Sequence, residues 1–217
     1  MKVVASIQAR LDSTRLPGKV LYQLGDRRLL QWAVDRATAA EGVDKTVVTT
    51  GDRPENNAIT EFCDRGGIEH TVGPEEDLLS RHLDVAIETD CDLLVRITAD
   101  CPFVPPTEID RIIERHLSNS ARYTTNGVNE MPIGTGVDVI NKQVLEELKD
   151  LGETHPVRRL RKHPEEWNTA ISPNEEWIEF NDAHVAVDTP EDYWMLSDGI
   201  EAVGDQPRAV VEWASER

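Results

Sequence analysis

Short runs of apolar residues alternate along the chain with stretches in which apolar residues recur at helical spacing. The runs predict buried strands, because a strand covered on both faces has no polar side to alternate with. Such strands are predicted at residues 3–7, 46–50 and 93–98, and a further short strand is predicted near residues 68–71. Helices are predicted between and after them at residues 29–40, from Pro54 through Ile59 and Phe62, at 76–88 and at 107–117. This alternation predicts an α/β fold whose mostly parallel sheet is covered by helices on both faces.

The pattern changes after residue 123. Before that point, Thr107 is predicted to cap the last helix of the series, with Asp110 three residues later as a variant capping box. After it come Gly127, Pro132, Gly134 and Gly136, then a predicted strand at 137–140 and a helix at 142–148. We expect one domain over residues 1–217, with an elaboration over the sheet at about 126–165 and a loosely attached tail from about 205.

The charge balance excludes some functions. The formal net charge is −18, from 41 Asp plus Glu against 23 Lys plus Arg, so we expect no binding to nucleic acid or to an anionic membrane. The cations comprise 6 Lys and 17 Arg, and an acidic surface poor in lysine suggests a halophilic source. An ordinary acidic protein remains the alternative, because charge bears on solubility rather than on fold.

The amino terminus and the cysteines indicate a cytoplasmic protein. About six apolar residues precede Gln8, which is too few for a signal-peptide core or a membrane span. The three cysteines, Cys63, Cys91 and Cys101, form no CxxC pair, so neither a disulfide framework nor a thiolate metal site is predicted.

The segment that follows the first strand, QARLDSTRLPGK at residues 8–19, carries candidate phosphate ligands. Arg10, Arg15 and Lys19 put three cations within ten residues of an otherwise acidic chain. A loop at the carboxyl end of a parallel strand offers a triphosphate both fixed cations and backbone N–H donors. The segment is neither a GxxxxGK[ST] loop nor a GxGxxG fingerprint. Alternatively, these cations pair with nearby carboxylates on a solvated loop.

Two carboxylates follow short apolar runs elsewhere in the chain. Asp100 lies in RITADCP and Asp188 in VDTPED, and carboxylate oxygens there suit Mg²⁺. Each has a structural alternative, since Asp100 could cap a turn before Pro102 and Asp188 could cap the next helix. Cys101 is predicted to be a buried structural thiol, because no base adjoins it in the sequence.

These motifs resemble those of the cytidylyltransferases that make CMP-activated acidic sugars, including acylneuraminate cytidylyltransferase and CMP-KDO synthetase. The similarity covers most of residues 1–200 and is strongest to the SpsF-like branch of spore coat polysaccharide biosynthesis. It implies a Rossmann-like three-layer α/β/α sandwich, as in nucleotide-diphospho-sugar transferases. It also implies that Arg10 and Lys19 hold the nucleotide phosphates, with Ser13 and Arg15 beside them, and that Asp100 and Asp188 bind Mg²⁺.

Three further segments resemble elements of the same family. DLLSRH at residues 77–82 is similar to its D-V-L-x-R element, which implies that Ser80 and Arg81 lie near the nucleobase. The alternative is that Arg81 lies along the helix surface. MPIGTGVDVI at 131–140 resembles the acceptor element YPDGLDVE, with Asp138 retained. ETHPVR at 153–158, with RKHP after it, resembles REHVTPYIRKNP and implies that His155 faces the acceptor or a dimer contact.

Together these features predict an enzyme, a homodimeric nucleotidyltransferase that transfers CMP from CTP to a sugar acid or a related acceptor for surface polysaccharide synthesis. Arg10, Lys19, Asp100 and Asp188 are its predicted catalytic residues. One alternative is a nucleotide-sugar-dependent glycosyltransferase, which would need a DxD metal motif such as residues 90–92. The other is a non-catalytic protein that only binds a nucleotide.

Overall fold

A seven-stranded mixed sheet lies at the centre of the computed structural model, which describes residues 1–127 and 131–217. The order of its strands is β5-β4-β1-β6-β8-β7-β9, and β2 and β3 form a separate small hairpin. The strands are β1 (Val3–Gln8), β2 (Gln23–Leu24), β3 (Arg27–Arg28), β4 (Lys45–Gly51), β5 (His70–Gly73), β6 (Leu93–Thr98), β7 (Tyr123–Thr125), β8 (Asp138–Asn141) and β9 (Thr169–Ile171).

Helices cover both faces of this sheet. In the described part of the chain they are α1 (Leu29–Thr38), α2 (Asn57–Gly66), α3 (Leu78–Glu88), α4 (Pro106–Ser118), α5 (Lys142–Asp150), α6 (Arg158–Lys162), α7 (Pro190–Val203) and α8 (Pro207–Ser215). Short 3-10 turns occupy Lys19–Leu21, Pro54–Asn56, Pro164–Glu166 and Ile178–Phe180. None of these described helices has the length and apolar character that crossing a lipid bilayer requires.

Strand β1 shows why the chain forms three layers. It pairs in parallel with β4 on one side and with β6 on the other. Its side chains alternate between the two faces, so Ala5 and Ile7 join the core beneath α1, α2 and α4, while Val4 joins the core beneath α3 and α5. All three side chains are fully buried. The predicted Rossmann-like α/β sandwich with a mostly parallel sheet is confirmed.

Strand β8 departs from the parallel pattern. It pairs antiparallel with β6 and with β7, whereas β7 and β9 are parallel. The segment that was expected to lie over the sheet therefore contributes an inner strand to it. Residues 128–130 of this predicted elaboration lie outside the described residues.

Two local predictions are wrong. Helix α4 begins at Pro106 with Pro105 as its N-cap, so Thr107 is not the cap, and Asp110 instead accepts hydrogen bonds from the backbone N–H groups of Glu41 and Gly42. A proline at the first helical position fixes the backbone there without a capping side chain. The expected loose tail is helix α8, whose Val210 is fully buried in a third core cluster.

Candidate active site

A cleft of about 600 Å³ lies at the carboxyl ends of β1, β5 and β6. Parallel α/β sheets bind ligands at this edge because loops from neighbouring strands converge there. Eight of the ten predicted site residues line this cleft. They are Arg10, Ser13, Arg15, Lys19, Arg81, Asp100, His155 and Asp188. The other two, Ser80 and Asp138, lie outside it.

Lys19 joins the two predicted metal ligands at one end of the cleft. Gly18, at φ +74°, turns the chain into the short 3-10 helix that begins at Lys19. The side chain of Lys19 is buried, and its Nζ donates to Asp100 Oδ2 at 2.7 Å, to Asp188 Oδ1 at 2.9 Å and to the carbonyl oxygen of Val187 at 2.6 Å. Residues separated by 81 and 169 positions thus meet at one ammonium group.

The electrostatics of this cluster favour the charged forms. Burial alone would lower the pKa of Lys19, but attraction to Asp100 and Asp188 outweighs it and raises that pKa above its ordinary value. Burial likewise opposes ionisation of Asp188, yet its hydrogen bond from Lys19 and the nearby Arg15 hold its pKa below the usual range. The cluster is therefore an ammonium between two carboxylates.

The structure decides between the two interpretations of Asp188. The N-cap of α7 is Thr189, whose hydroxyl accepts from the backbone of Asp192 while the Asp192 carboxylate accepts from the backbone of Thr189. This complete capping box leaves the carboxylate of Asp188 free to face the cleft. There it also contacts Arg15, with Nη2 at 3.0 Å from Oδ1. The capping alternative for Asp188 is wrong.

The donor set around Lys19 fits a hard divalent cation. Asp100 and Asp188 each direct one oxygen at the same positive charge, and both side chains are about a quarter exposed. Carboxylate oxygens that retain solvent on one side are the ligands Mg²⁺ prefers, because it keeps several of its waters. These two residues could therefore hold such an ion.

The other cations of the loop are more exposed and lie beside carboxylates. Arg10 Nε is 3.0 Å from Asp12 Oδ1, and the side chains of Arg10 and Arg15 are more than half exposed. Ser13 stabilises the loop itself, since its hydroxyl accepts from the backbone N–H of Leu16 at 3.3 Å. The loop therefore presents two arginines that a bound anion could draw from their present partners.

Cys101 follows Asp100 but is not activated. Its sulfur lies 2.9 Å from Thr98 Oγ1 and 3.6 Å from Asp100 Oδ1. Cys101 is only half-buried, so it is less enclosed than expected. Desolvation of its sulfur, reinforced by the negative charge of Asp100, still raises the pKa of the thiol well above its ordinary value. A neutral thiol is a poor nucleophile, which agrees with the structural role expected for Cys101.

The second end of the cleft contains Arg81 and a residue that the sequence did not single out, Glu75. Arg81 is 3% exposed and Glu75 is 7% exposed, so Arg81 does not lie along a solvated helix surface. Ser80, next to Arg81, instead donates its hydroxyl to Asp77 at 2.7 Å and receives a hydrogen bond from Lys149. Its predicted contact with the nucleobase is not supported, because its hydroxyl is held outside the cleft.

Of the two predicted acceptor residues, one lies in the cleft and the other lies outside it. His155 lines the cleft, and burial together with the positive charges of Arg96 and Arg158 lowers its pKa to about 4. Asp138 is 1% exposed and accepts hydrogen bonds from Arg96, Arg161 and the hydroxyl of Tyr123, all at 2.7–3.0 Å.

This burial corrects the expectation that Asp138 touches the acceptor. Attraction to Arg161 and Arg96 overcomes the effect of burial and keeps the pKa of Asp138 below its usual range. Asp138 instead holds the side chains of Arg96 and Arg161 in place. Gln8 and Arg158 also line the cleft. Gln8 accepts from Arg96 Nε at 3.0 Å, so the strand end and this buried network are continuous.

The chain is similar to known proteins over most of its length. A family model described as cytidylyltransferase matches residues 4–207. The spore coat polysaccharide biosynthesis protein SpsF of Bacillus subtilis (strain 168) is 30% identical over 211 residues, which cover 93% of this chain and 87% of that protein.

Two solved structures extend the comparison. A cytidylyltransferase from Leptospira borgpetersenii serovar Hardjo-bovis (strain JB197) superposes with a TM-score of 0.88 at 26% identity, over 100% of this chain and 94% of the other. A CMP:2-keto-3-deoxy-manno-octonic acid synthetase complexed with CTP gives 0.72 at 18% identity, over 93% and 99%. The second likeness is one of fold.

Proposed function

Because this chain belongs to the cytidylyltransferase family, we propose that it transfers CMP from CTP to a sugar acid or a related polyhydroxy acceptor, with release of pyrophosphate. The family makes it a nucleotidyltransferase, while the acceptor and its use in surface polysaccharide synthesis are our proposal. Similarity to the Bacillus subtilis spore coat polysaccharide protein supports that use.

The observation that carries the proposal is the cluster of Lys19, Asp100 and Asp188. Nucleotidyl transfer from a triphosphate needs a cation for the phosphate oxygens and carboxylates for a divalent ion within one site. Lys19 Nζ is such a cation, and both carboxylates lie within hydrogen-bond distance of it. Arg10 and Arg15 border the same cleft and add positive charge along it.

In the reaction we propose, an acceptor hydroxyl attacks the α-phosphorus of CTP in line with the leaving pyrophosphate. One oxygen–phosphorus bond forms as another breaks, the proton of the acceptor hydroxyl passes to solvent, and no covalent enzyme intermediate is needed. Lys19, Arg10 and Arg15 bind and orient the phosphates. Mg²⁺ held by Asp100 and Asp188 would supply charge neutralisation at the phosphate oxygens. His155, neutral above its lowered pKa of about 4, borders the cleft where an acceptor can enter.

The glycosyltransferase alternative loses its metal motif. Asp92 precedes β6, at the opposite end of that strand from Asp100, and its Oδ2 accepts a hydrogen bond from the backbone of Lys2 at 2.6 Å. A carboxylate used at that edge of the sheet is far from the cleft. Mg²⁺ as the specific metal, a homodimer, a cytoplasmic location and a high-salt habitat remain predictions.

Product analysis tests the proposal. The purified protein is incubated with CTP, Mg²⁺ and a panel of sugar acids, and pyrophosphate release and CMP-sugar formation are measured together. We expect equimolar pyrophosphate and CMP-sugar with at least one acceptor, and no product from the Asp188→Asn variant. Hydrolysis or transfer of a nucleotide sugar would favour the glycosyltransferase alternative, and CTP binding without turnover on any acceptor would favour a non-catalytic protein.

A further inference from the structure

Glu75 is a buried carboxylate with one unused oxygen in the wall of the cleft. It follows β5, and its Oε2 accepts from Asn56 Nδ2 at 2.7 Å while its backbone N–H donates to Asp52 at 3.1 Å. In the described part of the chain, Oε1 has no hydrogen-bond partner. The nearest recorded cation is Arg10, whose Nη1 lies 3.9 Å away, which is beyond hydrogen-bond distance.

The position of this carboxylate is built into the fold. A Cβ atom on Gly51 would lie 1.6 Å from Glu75 Oε2, so the carboxylate occupies space that only glycine leaves open. Asn56, which is 2% exposed, holds the carboxylate, donates also to the carbonyl of Gly51, and accepts from the backbone N–H of Leu11 in the phosphate loop. Glu75 is therefore held in one orientation and tied to the loop.

Arg81 supplies unused donors in the same cleft. Its Nε and Nη1 are buried and have no hydrogen-bond partner among the described residues. Glu75 attracts Arg81, yet no ion pair joins the two side chains within 4 Å. A buried polar atom without a partner destabilises the protein by about 1–3 kcal/mol. An acceptor and donors left unpaired in one wall indicate a ligand that presents the complementary groups side by side.

The two residues lie at the end of the cleft away from the proposed metal ligands. Asp100 follows β6 and Glu75 follows β5, and the sheet order β5-β4-β1-β6 separates those strands by three spacings, or roughly 14 Å. With the phosphates at Lys19, an extended nucleotide would place its base near Glu75 and Arg81.

We propose that Glu75 selects cytosine over uracil by accepting a hydrogen bond from the exocyclic amino group of the base. This inference rests on the proposed function, in which CTP is the donor nucleotide. Cytosine presents an amino donor beside two acceptors, the ring nitrogen and the carbonyl oxygen, which match Oε1 of Glu75 and the free N–H groups of Arg81. Uracil presents a carbonyl oxygen where cytosine has the amino group, and that oxygen repels a carboxylate.

Isothermal titration calorimetry with CTP and with UTP, both in Mg²⁺, tests this role. Glu75→Gln keeps the shape of the side chain, but its amide can turn to donate to the uracil oxygen. We expect the wild type to prefer CTP and the variant to lose roughly 10–100-fold of that preference, with UTP gaining affinity. Glu55→Gln, an exposed glutamate beside Asn56, makes the same change of charge and should keep the wild-type ratio.

The outcomes separate this inference from the proposed function. An unchanged CTP to UTP ratio in Glu75→Gln, or an equal loss of both affinities, overturns the inference and leaves the cytidylyltransferase proposal standing. A wild type that binds neither nucleotide, or prefers UTP, instead defeats the proposal that CTP is the donor. Circular dichroism confirms folding, and if Glu75→Gln is unfolded, Glu75→Asp, which withdraws the carboxylate by one methylene, is judged by the same ratio.

Discussion

Replacing Lys19 by methionine would separate the charge of this side chain from its length. The Lys19→Met variant keeps an unbranched chain of similar reach but removes the ammonium between Asp100 and Asp188. The two carboxylates would then face each other without the buried ammonium, with only the exposed Arg15 beside Asp188, and the carbonyl of Val187 would lose its donor. Breaking a fully buried ion pair costs about 3–5 kcal/mol. Because both carboxylates here are about a quarter exposed and partly hydrated, we expect about 2–3 kcal/mol of lost unfolding free energy.

Thermal unfolding measures this loss directly. For a chain of this size, 1 kcal/mol corresponds to roughly 2–4 °C in melting temperature, so Lys19→Met should melt about 4–12 °C below the wild type in the absence of divalent ions. Lys45→Met is the matched control, since Lys45 pairs with Glu69 at 2.6 Å but on the surface, with side chains 33% and 63% exposed. An exposed pair contributes at most about 1 kcal/mol, so that variant should melt near the wild type.

Added Mg²⁺ gives the decisive comparison. In Lys19→Met the ion meets two carboxylates with no competing ammonium, so it should raise the melting temperature of this variant more than that of the wild type or of Lys45→Met. The variant should nonetheless lose about 2–4 kcal/mol of transition-state stabilisation in pyrophosphate release, since the triphosphate has lost a buried cation. Equal melting temperatures for Lys19→Met and Lys45→Met, or no extra response to Mg²⁺, would refute the argument that these carboxylates form one cation site.

Further predictions concern four side chains. Asp100→Asn and Asp188→Asn should each lower the rate of pyrophosphate release by several orders of magnitude while circular dichroism stays unchanged; an unaltered rate would remove that residue from the site. Cys101→Ala should keep most activity, and a loss beyond about a hundredfold in a folded variant would contradict its structural role. Burial, aided by the nearby positive charge of Arg96, lowers the pKa of His82 well below 6.5, so the unfolded chain binds a proton that the folded chain does not. Stability should therefore fall as the pH drops through about 6.5, the ordinary pKa of histidine in the unfolded chain, and chemical denaturation of His82→Gln should show a weaker dependence on pH.

The inner strands could be predicted because burial on both faces leaves a strong signal. Strands β1, β4 and β6 are mostly apolar or β-branched, interrupted by Ser6 in β1 and by Arg96 in β6, and the predicted bounds agree with the structure to within one residue at each end. Strands β7 and β9 have three residues each and could not be found this way. Strand β7 has the sequence Tyr-Thr-Thr. Its central Thr124 can be buried without leaving its hydroxyl unpaired, because His116 on α4 forms a hydrogen bond with that hydroxyl at 3.0 Å. Such a partner is not visible from the local pattern.

From the residues alone, the site could be predicted only where a motif coincided with a strand end, whereas Arg81, His155 and Asp188 were assigned to it by resemblance to the family. The loop around Lys19 and the carboxylate of Asp100 each follow a strand that the pattern identifies, and sheet topology brings those ends together. Asp138 had an equally plausible motif but is fully enclosed, because Arg96 and Arg161 approach it from distant elements. Sequence shows the type of a side chain, whereas its burial depends on contacts that the whole fold creates.

Two buried glutamates show how burial can be separated from function. Glu108 is 3% exposed, and both of its oxygens are used, by Arg111, Asn126 and Asn174. Glu75 is nearly as buried, but one of its oxygens has no partner among the described residues. Folding alone explains a carboxylate whose hydrogen bonds are complete, because its desolvation is compensated within the protein. Folding alone does not explain a buried carboxylate that leaves an oxygen unpaired in a cleft. An unpaired polar atom of this kind is expected where a bound ligand supplies the missing hydrogen bond.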